Sequence, residues 1–199
     1  MKKTISTYLA LLAVLLSPLA ANAGPIVANG GFESGLSDWT RSGNFTCTGV
    51  GSSAANVNPL CIGIDNDPLA HSGASALYMG TPSGEVFSQS LTTVAGTTYQ
   101  IDFWLAVGAW QGSSTPNSFQ VEFGSTSLSL ANAAEQGWTE YSFMSVATGS
   151  STLLSFSHSM TPSWFVLDDV SVTAVPEPGT LALFGLGLFG MGLARRKKV

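Results

Sequence analysis

Two short alternating segments carry the side chains best suited to chemistry. In TYQIDFWLAV a strand period of two puts Tyr99, Ile101, Phe103, Leu105 and Val107 on one side, leaving Gln100, Asp102 and Trp104 on the other. In SFQVEF, Phe119, Val121 and Phe123 point one way, with Gln120 and Glu122 opposite. With the apolar sides inward, the two strands are expected to share an outer face of amides, carboxylates and one indole. Flat sugar rings stack on indoles while carboxylates and amides take paired hydroxyls, so Trp104, Asp102, Gln120 and Glu122 suit a carbohydrate ligand. An ordinary solvated face with one Trp half covered by a loop has the same composition. Trp110 joins the candidates because it precedes QGSSTPN, a loop able to fold over that face.

A third segment, FVLDDVSV, raises an electrostatic question. Trp164, Val166, Asp168, Val170 and Val172 alternate on one side, and the apolar majority assigns that side to the core. Asp168 is then a carboxylate aimed inward, and an unpaired buried carboxylate is costly. Two kinds of partner fit. One is a structural calcium ion held with Glu33 and backbone carbonyls, within the six to eight oxygen ligands calcium takes. The other is a set of backbone N–H groups near the strand end.

Catalytic constellations are sparse, and the expectation is a protein that is not an enzyme. No G-x-S-x-G nucleophile elbow is present. His71, in DNDPLAHSG, reads as a turn feature, and His158 alternates with Leu154 and Phe156 as a packed or hydrogen-bonded side chain. Asp102 and Glu122 suit a glycosidase pair only at the right separation, which spacing alone does not give. Asp65 and Asp67 lack the further ligands of an EF-hand loop. GLGLFG fits the G-x-G-x-x-G of a dinucleotide loop, but no strand precedes it and no acidic residue follows it.

The elements that must position these residues are strands. Charged residues make up 10% of the 199-residue chain, against about 25% in an average soluble domain, and Gly, Ser, Thr and Asn take their place. No segment has a helical period. PIVAN, SALYMG, EVFSQSLTTV, TYQIDFWLAV, SFQVEFG, TSLSLA, TEYSFMSV, TLLSFSHS and FVLDDVSVTA read as strands separated by turn residues. That spacing points to an all-β, two-sheet jelly-roll β-sandwich forming one domain over residues 24–174. Cys47 and Cys61, the only cysteines, are expected to pair as a disulfide stapling a long Ser/Asn/Gly-rich loop. A bridge of that size contributes about 3 kcal/mol in the chain-entropy account.

Both ends read as addresses. Residues 1–23 combine Lys2 and Lys3, an apolar run from Tyr8 to Leu16, and Ala21-Asn22-Ala23, which is the pattern of a signal peptide cut by signal peptidase. Residues 175–199 hold an uncharged apolar run, 180–194, followed by Arg195, Arg196, Lys197 and Lys198. As a helix the run covers roughly 22 Å, short of the ~30 Å hydrocarbon core. It is expected to be a C-terminal transmembrane helix that serves as a transient anchor in the inner membrane. With both ends set aside, Arg41 is the only basic residue against eleven carboxylates, a net charge close to −10. Such a body repels phosphate backbones, which argues against nucleic acid as a partner.

The tail VPEPGTLALFGLGLFGMGLARRKKV resembles a PEP-CTERM sorting signal, with Pro176, Glu177 and Pro178 as its motif. The resemblance implies removal of the tail by an exosortase, a membrane cysteine protease of Gram-negative bacteria that make exopolysaccharide and biofilm. The destination it implies is the cell surface or the extracellular matrix. The body resembles carbohydrate-binding modules of families four and nine, with a galactose-binding-like jelly roll. The pieces ANGGFESGLSDWT, HSGASALYMG, VFSQSLTTVAGTTYQIDFWLAV, GWTEYSFMSV and VLDDVSVT carry that likeness in order. It implies a polysaccharide partner, a structural calcium at Glu33 and Asp168, and a structural role for Trp39. The insertion around Cys47 and Cys61 departs from that pattern. The competing expectation is a structural or adhesive matrix protein with no defined glycan.

Overall fold

The computed structural model describes residues 24–45, 47–51, 70–80, 82, 84–109, 112–160 and 164–176. The signal peptide 1–23, Cys61, Trp110, Glu177, Pro178 and the apolar run 180–194 with its basic end lie outside these residues. Among the described residues no helix is long and apolar enough to cross a membrane.

Among the described residues ten strands follow in chain order. They are β1 (Thr40–Gly43), β2 (Thr48–Gly51), β3 (Ala76–Met79), β4 (Glu85–Thr92), β5 (Thr98–Val107), β6 (Asn117–Phe123), β7 (Thr126–Ala131), β8 (Gln136–Val146), β9 (Ser151–Met160) and β10 (Phe165–Ala174). They form two five-stranded sheets, β1-β4-β9-β6-β7 and β2-β3-β10-β5-β8. Every pairing is antiparallel. The architecture is an all-β two-sheet sandwich, as the alternation predicts. Turn chemistry sets the register. Gly124, at φ 61°, opens the two-residue turn that pairs Phe123 with Thr126, a conformation a side chain would strain.

Alternation places the core between the sheets. Phe87, Phe119, Phe123 and Phe156 come from the first sheet, and Phe103, Ile101, Leu105, Leu77 and Phe165 from the second; all are fully buried. Phe103 packs at 5.8 Å from Phe119, 5.6 Å from Phe156 and 5.5 Å from Tyr141. Each such ring contributes roughly 1.5–3 kcal/mol of burial. Trp39 closes this core by stacking on Phe32 at 5.5 Å and donating Nε1 to the Asn29 carbonyl. It is structural, in line with the resemblance.

Three expectations need correction. PIVAN is not a strand, although Ile26 N–H donates to the Val172 carbonyl and the segment runs beside β10. The faces assigned to β5 and β6 do not coincide, because the two strands belong to different sheets. The side chains assigned to one face of FVLDDVSV also separate. Phe165, Leu167, Val170 and Val172 enter the main core, whereas Val166 packs in a second cluster with Ala76, Tyr78 and Trp164. The cause is a break in register between Asp168 and Ser171, where Asp169 adopts φ 50°. One extra residue in a strand reverses the parity of everything beyond it.

Candidate functional site

Asp168 therefore sits on the outer side of the second sheet, and it is buried there by a loop. It is 0% exposed. Its Oδ2 accepts the backbone N–H groups of His71 at 2.8 Å and Ser72 at 3.2 Å, and its Oδ1 accepts that of Asp169 at 2.8 Å. Burial pushes the carboxyl up to about 6, the three N–H groups pull it back, and the Asp169 charge adds to the rise. Glu33 holds the next turn of the same loop, with Oε1 accepting from Ala74 at 2.8 Å and Ser75 at 3.0 Å. Gly73, at φ 63°, lies between them, and a Cβ there would run into the Glu33 carboxylate. Two carboxylates 135 positions apart thus grip residues 71–75.

That grip presents an aromatic group. His71 stacks on Trp104 at 3.8 Å and 14°, and Trp138 meets the His71 ring edge-on at 5.5 Å. His71 Nδ1 lies 2.6 Å from Asp169 Oδ2, and Ser72 Oγ donates to Asp169 Oδ1 at 2.6 Å. Trp104, Trp138 and His71 are all half-buried. Register places Glu140 of β8 opposite Trp104 and Ser142 opposite Asp102. Gln100 Nε2 donates to both Asp102 Oδ1 and Ser142 Oγ, each at 3.0 Å. Trp164 and Tyr78 extend the apolar side, 6.1 Å apart. The result is a sheet face with indoles at one end and a row of carboxylate, amide and hydroxyl groups beside them.

The expected site residues divide. Trp104 and Asp102 lie on this face. Gln120 and Glu122 lie on the outer side of the first sheet, where Gln120 Nε2 donates to Glu122 Oε1 at 2.8 Å. Asp102 and Glu122, on opposite sides of the sandwich, make no paired-carboxylate site. Sequence reasoning missed His71, Trp138 and Glu140. Trp138 and Glu140 were available from the alternation Trp138-Glu140-Ser142 in GWTEYSFMSV, whereas His71 reaches Trp104 through long-range hydrogen bonds with no local signature.

The described residues contain no group of three or more His, Cys, Asp or Glu side chains able to hold a metal. Glu33 and Asp168 offer two carboxylates beside one loop, and the Asp168 oxygens already accept N–H donors. That is a partial fit to a calcium shell. Cys47 is not a free thiol; its expected partner Cys61 lies outside the described residues.

A second polar group is sealed between the sheets. Glu85 of β4 and His158 of β9 are register partners, with His158 Nε2 and Glu85 Oε2 3.3 Å apart and both side chains inaccessible. Thr48 Oγ1 donates to Glu85 Oε2 at 2.5 Å. Glu85 Oε1 and both His158 ring nitrogens lack hydrogen bonds among the described residues. Burial pushes Glu85 up to about 7, against the Thr48 hydrogen bond and the Arg41 charge, and holds His158 down to about 4.

The two-sheet fold is shared with solved carbohydrate-binding modules and with an adhesin domain. The chain is similar to a family 61 module solved in complex with beta-1,4-galactotriose (19% identity, TM-score 0.58, 76% of this chain and 99% of that one). It is also similar to a family 16 carbohydrate-binding module (15%, 0.51, 74% and 98%). A third likeness is to the K3 cleaved adhesin domain of Lys-gingipain from Porphyromonas gingivalis w83 (16%, 0.54, 74% and 96%). At these identities the likeness establishes a shared fold. No curated protein matches the chain in sequence. Residues 174–198 match the PEP-CTERM protein-sorting motif.

Proposed function

We propose that this is an exported, non-catalytic carbohydrate-binding protein whose tail is recognised and cut by an exosortase, and whose body acts in the extracellular polysaccharide or biofilm matrix of a Gram-negative bacterium. Signal peptidase removes residues 1–23, the run 180–194 holds the precursor briefly in the inner membrane, and Cys47–Cys61 staples the long loop. The observation that carries the binding reading is the outer face of the second sheet. There the Trp138 indole and the Trp104 indole capped by His71 stand beside Asp102, Glu140, Gln100 and Ser142, a pairing of aromatic rings with bidentate hydroxyl partners that suits sugars. Trp110, which precedes the loop beyond β5, belongs to the same proposal. Gln120 and Glu122 are set aside because they lie on the other sheet.

A glycan array probed with residues 24–174 tests this. Binding to a defined glycan, lost by at least tenfold in Trp104→Ala and in Trp138→Ala and kept in Gln120→Ala, is the expected result. An intact fold that binds nothing leaves the structural or adhesive matrix reading, which the likeness to an adhesin domain favours. The proposal also includes a structural calcium at Glu33 and Asp168, supported by two carboxylates gripping one loop. A chelator is expected to lower the melting temperature, and an unchanged value removes the ion.

A further inference from the structure

We propose that the outer face of the second sheet takes an amino-sugar polymer, a polysaccharide carrying free primary amines; this inference rests on the carbohydrate-binding reading above. Charge narrows the choice first. Between residues 24 and 174 the body holds eleven carboxylates and one arginine. Arg41 belongs to β1 of the first sheet, where its guanidinium sits 3.9 Å over the Phe45 ring. Among the described residues the second sheet's outer face therefore has no lysine or arginine to hold a uronate, sulfate or phosphate group. His71 adds no net positive charge, because Asp169 Oδ2 lies 2.6 Å from its Nδ1. With the ring protonated that pair is neutral, and with the ring neutral it is anionic.

Two carboxylates on this face, Asp102 and Glu140, have no cationic partner. Among the described residues the ion pairs are His71 with Asp169 and His158 with Glu85. Register sets the two carboxylates close together. Glu140 lies opposite Trp104 and Ser142 opposite Asp102, which makes Asp102 and Glu140 diagonal neighbours about 7–8 Å apart. Like charges at that spacing repel when nothing lies between them, and an ammonium between them is attracted by both. Asp102 is half-buried and steadied by Gln100 Nε2 at 3.0 Å, while Glu140 is exposed. One carboxylate is thus positioned, and the longer one is able to close on the same group.

The rings beside them form a corner and not a platform. His71 lies flat on Trp104 at 3.8 Å and 14°, so one face of that indole is already covered. Trp138 stands edge-on to His71 at 5.5 Å and 65°. A neutral pyranose stacks best on one bare ring face. Steeply inclined rings beside carboxylates suit a compact cation, which each indole attracts through its quadrupole. An amino sugar offers both an apolar C–H face for an indole and an ammonium for the carboxylates. The neighbouring groups favour sugar over a lysine-rich peptide. Gln100 Nε2 donates to Ser142 Oγ at 3.0 Å, and Ser171 of β10 lies opposite Asp102. That row of amide and hydroxyl groups matches sugar hydroxyls, and a lysine side chain leaves it unused.

The test uses the full chain in a sugar-free detergent, on an array of glucosamine oligomers in several linkages. Each oligomer is present in free-amine and N-acetylated form, beside neutral glucans, oligouronates and oligolysine, at a pH where the amines are charged. The expected result is a preference of about tenfold for a free-amine oligomer over its acetylated twin, weakened by added salt. Asp102→Asn and Glu140→Gln should each lower that preference about fivefold, and Glu122→Gln on the other sheet should keep it. Near-UV circular dichroism checks that each variant is folded. Acetylated, neutral or uronate glycans bound as tightly as the free amines overturn the amine class and leave the carbohydrate reading intact. Silence from every sugar on the array overturns that reading and this inference with it. Oligolysine bound as tightly as the amino sugar overturns glycan as the ligand. A loss in Glu122→Gln equal to that in Glu140→Gln assigns the preference to diffuse charge and overturns the site, as does a full preference in both Asp102→Asn and Glu140→Gln.

Discussion

Asp168 and Glu85 are both fully inaccessible carboxylates that burial pushes toward protonation, and they do opposite work. Asp168 lies on an outer face and is closed over by a loop whose backbone N–H groups answer it. Glu85 lies between the sheets, where the Thr48 hydroxyl donates to it and the His158 imidazole lies 3.3 Å away without a hydrogen bond. The first couples stability to the aromatic face, since the loop it holds carries His71 onto Trp104. The second couples stability to pH and touches nothing that a ligand meets. A buried acid therefore signals function only when its partners belong to the surface it organises.

The largest expected effect separates the two directly. Asp168→Ala leaves three backbone donors without an acceptor, and each such loss costs about 1–3 kcal/mol. Because residues 71–75 can partly open to water, the expected destabilisation is about 4 kcal/mol rather than the full sum. Urea unfolding measures it, and hydrogen exchange is expected to speed at 71–75. Glycan binding should weaken as well, because His71 loses its position. Equal binding in a folded Asp168→Ala protein would break the comparison.

The Glu85–His158 pair is expected to show itself through pH. In the folded protein the two groups together hold one proton between about pH 4 and 7. The unfolded chain does so between about 4.3 and 6.5. Parent stability is therefore nearly flat across that interval. His158→Leu leaves Glu85 alone, with its folded pKa raised. Its contribution is then full below the unfolded value and is lost as pH rises through 7, a fall of about 3 kcal/mol. Glu85→Gln leaves His158 with a lowered pKa, so its contribution is present above 6.5 and lost as pH falls through 4, by a similar amount. The two single variants should tilt in opposite directions, the double variant should be flat, and none should alter glycan binding.

Much of the architecture was legible because it depends on a period of two. TYQIDFWLAV and SFQVEFG gave strands with the correct inward sides, and Trp104 was placed on an outer face. Which strands share a sheet depends on pairings between distant segments, so nothing within SFQVEFG could separate Gln120 and Glu122 from Asp102. The short strands β1 (TRSG) and β2 (TGVG) have too little apolar content to register. His71 gave no sign either, since its place comes from Asp168 and Asp169 about a hundred residues away. In FVLDDVSV the inward side was right for Val170 and Val172 and wrong for Trp164, Val166 and Asp168, because a bulge that apolar counting does not detect reverses the parity between the two halves.

That bulge supplies the smallest effect and the closest test of what separates the two carboxylates. Asp169 at φ 50° lets Phe165 and Leu167 face inward before it, and Val170 and Val172 after it, with Asp168 left outside. Asp and Asn enter the left-handed region readily, whereas a β-branched residue there is an outlier costing roughly 1–2 kcal/mol. Asp169→Asn should therefore keep the fold and cost under about 1 kcal/mol, chiefly through the weakened contact with His71. Asp169→Val should cost more through the backbone. If the two variants are equally stable, backbone geometry is not what holds the register. The outward placement of Asp168 would then rest on the loop that covers it, and the bulge would be a consequence of that loop.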